Sequence, residues 1–248
     1  MRRAALLALL VASAVSADQR FKLPPPSPPE LYGNMLIWRT TANASVKPVM
    51  FSHWSHRLRY TCRVCHLELD FAFKRNTTEI TEAANRAGSY CGACHNGKIA
   101  FAHTPENCDK CHTGNAATSA DSRKLDDLPW AQYGNGVNWS AAIAAGTIKP
   151  AASLAPGYKP IALDTTLNLE AEWNFVPPAV FPHKEHVRWL DCANCHPAIF
   201  NIRKKSTQHF SMRYILAGEF CGTCHLRVAF PLDDCRRCHP DMKRDAVQ

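Results

Sequence analysis

All twelve cysteines of this chain fall into six copies of Cys-x-x-Cys, and a histidine follows every copy. The copies are CRVCH (Cys62, Cys65, His66), CGACH (Cys91, Cys94, His95), CDKCH (Cys108, Cys111, His112), CANCH (Cys192, Cys195, His196), CGTCH (Cys221, Cys224, His225) and CRRCH (Cys235, Cys238, His239). Thiols three residues apart lie on one face of a helical turn, where they bond two vinyl groups of a porphyrin. The next imidazole turns beneath the ring to bind iron, so the pattern is that of covalent haem c attachment. Six short disulfides would use the same cysteines but give no reason for six histidines. Zinc ribbons pair Cys-x-x-Cys knuckles without requiring histidine at the next position each time. Six covalently bound haem c groups are therefore expected.

The chain is 248 residues long with a formal charge of +8. Residues 1–17, MRRAALLALLVASAVSA, read as a secretory signal peptide: Arg2 and Arg3, an apolar run from Ala4 to Val15, then Val15 and Ala17 before a cut at Asp18. The Pro-rich stretch that follows, within an N-terminal segment at 18–44, cannot continue a helix. No other stretch reaches the roughly 18 apolar residues of a spanning helix. Of the residues after the leader, roughly 39% are apolar residues other than cysteine, much of that alanine. A core of side chains alone is undersized for such a length, and porphyrin faces supply the missing apolar surface.

The second half repeats the first. FSHWSH at 51–56 and FPHKEH at 181–186 lie 130 residues apart, as do Cys62 and Cys192, and Cys91 and Cys221. Cys108 and Cys235 are offset by 127, which places a three-residue deletion before the third motif. The expected organisation is one triheme domain at 45–115, an Ala/Gly/Pro-rich connector at 116–170, a second triheme domain at 171–243 and a tail at 244–248. The connector is expected to carry one short helix around 139–146, pinned by Trp139; it either links the units loosely or packs across both as a strap.

Six histidines lie outside the motifs: His53, His56, His103, His183, His186 and His209. Six haems need six distal ligands. His53 with His56, and His183 with His186, are spaced i and i+3, so each member of a pair can serve a different haem. The third ligand of each unit is less determined. His103 lies five residues before Cys108, and His209 or Met212 can serve the second unit, Met raising the potential of its haem relative to His.

These motifs resemble the class III multihaem cytochromes c, specifically the small triheme (c-seven-type) subgroup, whose domains begin with Phe-x-His-x-x-His and carry three Cys-x-x-Cys-His sites. The resemblance covers roughly 45–115 and 175–243. It implies a mainly α fold with little regular secondary structure: two haem-packed domains, each with a short N-terminal β-hairpin. It also implies that His53 and His183 bind the haems at Cys62 and Cys192, and that His56 and His186 serve those at Cys91 and Cys221. The first unit departs from the pattern in having no histidine between its first and second motifs.

With about one haem per 39 mature residues, neighbouring porphyrins come nearly into contact and electrons pass between them without a bound substrate. The expected function is an exported hexahaem electron carrier or relay with mostly bis-histidine irons, working in anaerobic or extracellular respiration, and not an enzyme. One rival is a multihaem reductase with one open iron; another is a subunit of an extracellular filament or outer-membrane conduit. Donor and acceptor cytochromes or reductases are the expected partners, with peripheral contact to a membrane redox complex and no nucleic acid. The expected location is periplasmic, with outer-membrane-associated or extracellular placement as alternatives.

Overall fold

The computed structural model describes residues 25–38, 45–117, 125–173, 175–201 and 211–243. The leader at 1–17, His209 and the tail at 244–248 lie outside them. Each repeat opens with two antiparallel strands. In repeat 1, β1 (Asn34–Ile37) pairs with β2 (Val49–Ser52), Met35 opposite Phe51. In repeat 2, β3 (Thr166–Leu169) pairs with β4 (Ala179–Pro182), Leu167 opposite Phe181. The first strand of each pair lies upstream of the domain start expected from the motifs, β1 inside 18–44 and β3 inside 116–170. NMLI and TLNL carry no cysteine or histidine, so only their pairing marks them as part of the repeat.

Among the described residues, three short α-helices follow in repeat 1 and five in repeat 2. Repeat 1 has α1 (His53–Arg57), α2 (Glu82–Arg86) and α3 (Cys108–Cys111). Between the repeats lies α4 (Trp139–Ala144), whose first amides are capped by the Asn138 side chain. Repeat 2 has α5 (His183–Val187), α6 (Cys192–Cys195), α7 (Met212–Leu216), α8 (Gly222–His225) and α9 (Cys235–Cys238). The longest has six residues. Helices this short do not persist alone in water and must be held by what packs against them. Among the described residues, no helix is long and apolar enough to cross a membrane.

Few side chains supply that packing. The buried apolar residues among those described are Tyr32, Trp54, Val64, Val137, Ala142, Ile148 and Ile215. The polypeptide instead surrounds a continuous, partly open cavity of about 1950 Å³ that runs through both repeats, lined from Cys62 and His112 in the first to Cys195 and Cys238 in the second.

Residues 139–158 lie against repeat 1 and reach repeat 2. Ala151 donates its amide to Arg59 at 2.8 Å and accepts from the Thr61 amide at 3.0 Å. The Glu68 carboxylate receives the Leu154 amide at 2.8 Å, the Ser153 hydroxyl at 2.5 Å and Arg63. Burial pushes the Glu68 carboxyl up, but these three donors outweigh it and hold the group below the usual range. The Tyr158 hydroxyl closes the strap onto repeat 2 at Asp191, 3.4 Å away.

Candidate haem sites

In five of the motifs the histidine amide bonds the carbonyl of the first cysteine, at 2.8–2.9 Å: His95 to Cys91, His112 to Cys108, His196 to Cys192, His225 to Cys221 and His239 to Cys235. That single turn sets the two thiols on one side and swings the imidazole one turn on. In the second motif of each repeat the turn presses against the preceding helix. A Cβ on Gly92 would stand 1.8 Å from the Asn85 carbonyl oxygen, and one on Gly222 would stand 1.8 Å from that of Ile215. Only glycine fits at either place.

All twelve thiols are unpaired. Burial pushes Cys65, Cys221 and Cys224 up to about 12, and Cys91 and Cys238 up to about 11. Among the described residues no three His, Cys, Asp or Glu side chains converge as a metal cluster. A haem iron, held by its own porphyrin, would ask the chain only for imidazole nitrogens.

The imidazoles are oriented for that task. In each of the eleven described histidines Nδ1 lies 2.7–3.3 Å from a backbone carbonyl. A carbonyl only accepts, so the proton resides on Nδ1 and the Nε2 lone pair is left for a metal. The acceptors recur between repeats. His53 donates to Gly33 and His183 to Thr165; His56 to Ser52 and His186 to Pro182. His66 donates to Phe71 and His196 to Phe200; His95 to Phe101 and His225 to Phe230. His112 donates to Lys47 and His239 to Pro177. Burial lowers His53 to about 3 and His225 to about 4, and lowers His56, His66, His95 and His186, so these imidazoles stay neutral as metal ligation requires.

Rings from the Phe-x-His-x-x-His segments face motif rings. The His53 and His66 centroids are 6.4 Å apart with planes 7° from parallel. His56 and His95 are 6.2 Å apart, as are His186 and His225. Phe51 stands edge-on to His53 at 4.8 Å and over His56 at 4.5 Å; Phe181 does the same to His183 and His186 at 4.9 and 4.2 Å. One phenyl ring therefore braces both imidazoles of each pair, a role the repeated Phe signals in the sequence.

The third-site candidates are placed differently. His103 bonds the His95 carbonyl at 3.1 Å, and its ring lies 6.2 Å from that of His95. Because His186 faces His225 as His56 faces His95, without a counterpart of His103, the His56–His95 pair is the one the repeat preserves. Met212 opens α7 at the position that Glu82 occupies in α2. The Glu82 carboxylate is held by Arg86, 2.8 Å from its Nε and 2.7 Å from its Nη2.

The motif pattern gives the third residue of each Cys-x-x-Cys no role of its own. Val64 and Asn194 hold the same place in the first motif of each repeat and are only 1% and 3% exposed. Asn194 caps α6 together with Asp191 and donates to the His66 carbonyl at 3.2 Å. Arg63 reaches Asp191 at 3.3 Å, bonds Glu68 and lies 4.0 Å from the centre of the Tyr158 ring.

The model of the family described as cytochrome c7 and related cytochrome c matches residues 49–113 and 179–240, about half the chain. Among solved structures, a C-terminal hexaheme fragment of GSU1996 is 29% identical over 86% of this chain and 98% of its own, with a TM-score of 0.28. A c7-type three-heme cytochrome domain is 37% identical over 35% of this chain and 95% of its own, TM-score 0.28. The dodecaheme cytochrome c GSU1996 is 23% identical over 83% of this chain and 73% of its own, also at 0.28. No curated protein matches.

Proposed function

The chain belongs to the family of cytochrome c7 and related cytochromes c, and from that premise we propose that it is an exported hexahaem relay that carries electrons between redox proteins. Covalently bound haem c would supply the one-electron chemistry, and the histidines would hold each iron in one coordination state so that little rearranges on transfer. The observation that carries this reading is the spacing of the imidazole pairs. Two imidazoles on one iron, each about 2 Å from it, have ring centres about 6 Å apart, and His53–His66, His56–His95 and His186–His225 stand at 6.2–6.4 Å. His53 and His56 then serve the haems at Cys62 and Cys91, and His183 and His186 those at Cys192 and Cys221.

Mature protein, made alongside a working cytochrome maturation apparatus, tests this by mass: loss of residues 1–17 and addition of six haems is the expected result. A leader retained, or a sample with no Soret band, overturns it. The periplasm is the proposed location, with cytochromes or membrane redox complexes as partners.

A second reading, a reductase with one open iron, draws on a single difference between the repeats. Met212, a candidate ligand for the haem at Cys235, opens α7 where the first repeat has Glu82, a carboxylate already held by Arg86. Reduced protein exposed to carbon monoxide decides: a Soret shift of about one haem in six supports an exchangeable site at His112, and an unchanged spectrum supports the relay alone.

A further inference from the structure

The two repeats touch where the first motif of each begins. The turn at Val64–Glu68 packs against α6, the Arg63 amide donates to the Trp189 carbonyl at 3.0 Å, and Asn194 donates to the His66 carbonyl at 3.2 Å. The thiols of Cys62, Cys195 and Cys224 are close enough to interact electrostatically. The attachment sites at Cys62, Cys192 and Cys221 therefore meet at this seam.

Arg57 sits in the same seam. Its Nη2 donates to the Val228 carbonyl of repeat 2 at 3.1 Å, and its guanidinium carbon lies 4.9 Å from the centre of the Trp139 ring and 5.5 Å from that of Trp189. Among the described residues no carboxylate pairs with it. It lines the same cavity as His53 and Cys62 of repeat 1 and Cys224 and His225 of repeat 2. The corresponding residue of repeat 2 is Val187, so the cation exists on one side only.

We propose that electrons cross between the repeats at this seam, and that Arg57 raises the potential of the sites it adjoins, those at Cys62 and at Cys221. The proposal rests on the electron-relay reading above. One electron leaves one site and arrives at the other; no bond forms and no proton moves. Each arriving electron adds a negative charge, and a half-buried, fixed cation favours the reduced state more than a fully solvated arginine does. The two tryptophans hold the guanidinium in place. Val64 and Asn194 are buried in the seam.

The test is a reductive titration of the mature protein with each haem resolved by NMR, in wild type, Arg57→Gln and Arg57→Lys. In the glutamine variant the sites at Cys62 and Cys221 are expected to fall in potential while those at Cys108 and Cys235 stay, and lysine is expected to restore most of the difference. A merely structural arginine would not give that site-selective, charge-dependent pattern. A glutamine variant that titrates like wild type, or in which all six sites move together, overturns the role of Arg57. In wild type, reduction at Cys62 is expected to shift the potentials at Cys192 and Cys221; no mutual shift across the repeats overturns the crossing point, even if the glutamine variant does not mature. The mass of the same sample counts haems: fewer than six overturns the hexahaem reading, and the seam with it only if the missing one belongs to Cys62, Cys192 or Cys221.

Discussion

Val64 and Asn194 occupy one position in two copies of the same motif, both out of contact with water, yet one is apolar and the other carries an amide that bonds across the seam. Arg57 faces Val187 across the duplication in the same way, and Glu82 faces Met212. The carbonyls that receive the Nδ1 protons behave otherwise: five pairs recur at offsets between 129 and 132. What a repeat needs to orient its own imidazoles is present twice. What joins the repeats, or completes a third site, is present once, because a joint between two unlike neighbours has no reason to be the same on both sides.

The duplicated features should fail alike. Gly92→Ala and Gly222→Ala each drive a methyl group into a backbone carbonyl, so we expect both to cost about 3 kcal/mol or more and to lower haem yield equally; a tolerated variant in one repeat alone, by thermal melting of the holoprotein, would break the equivalence of the two helices beneath them. His53→Ala and His183→Ala are next: each should open a single iron, so that carbon monoxide binds to about one more haem than in wild type. Unequal responses would mean that the pair in repeat 2 serves its haems differently.

The unlike features should fail unalike. Arg63→Ala removes the partner of Asp191 and Glu68 together, and a loss of about 2 kcal/mol is expected, less than for a fully buried pair because water still reaches these groups. Ala193, its counterpart, has no such contact to lose, and a melting curve of Arg63→Ala unchanged from wild type would remove the clamp from the account. The smallest effect is at the helix starts. Thr81 caps α2 through the Ala84 amide at 3.1 Å, whereas Ser211 makes no such bond to α7. Thr81→Ala should cost about 1 kcal/mol and Ser211→Ala close to nothing, as thermal melting will tell.

How much of this was legible beforehand depended on whether the signal was local. Cys-x-x-Cys-His is complete within five residues, and its chemistry needs nothing further along the chain. Phe-x-His-x-x-His is complete within six, and the single phenyl that braces both rings is part of it. The strands at Asn34–Ile37 and Thr166–Leu169 were missed as parts of the repeats because four apolar-leaning residues carry no message until β2 or β4 pairs with them. The connector could not be told from a strap, since Ala151 bonds Arg59 and Thr61 only after the chain has doubled back by some ninety residues.

The order of residues alone placed six Cys-x-x-Cys-His motifs, two copies of a three-motif unit and, ahead of each copy, a pair of histidines spaced i and i+3. Covalent attachment and helical spacing act over a single turn, where sequence distance and spatial distance are the same thing. Tertiary structure alone decided which carbonyl takes each Nδ1 proton, that the first motifs of the two repeats abut, and that Arg57 rests between Trp139 and Trp189 beside both. Those contacts join residues up to 171 positions apart, and a burial or a charge shared across such a distance exists only once the chain has folded.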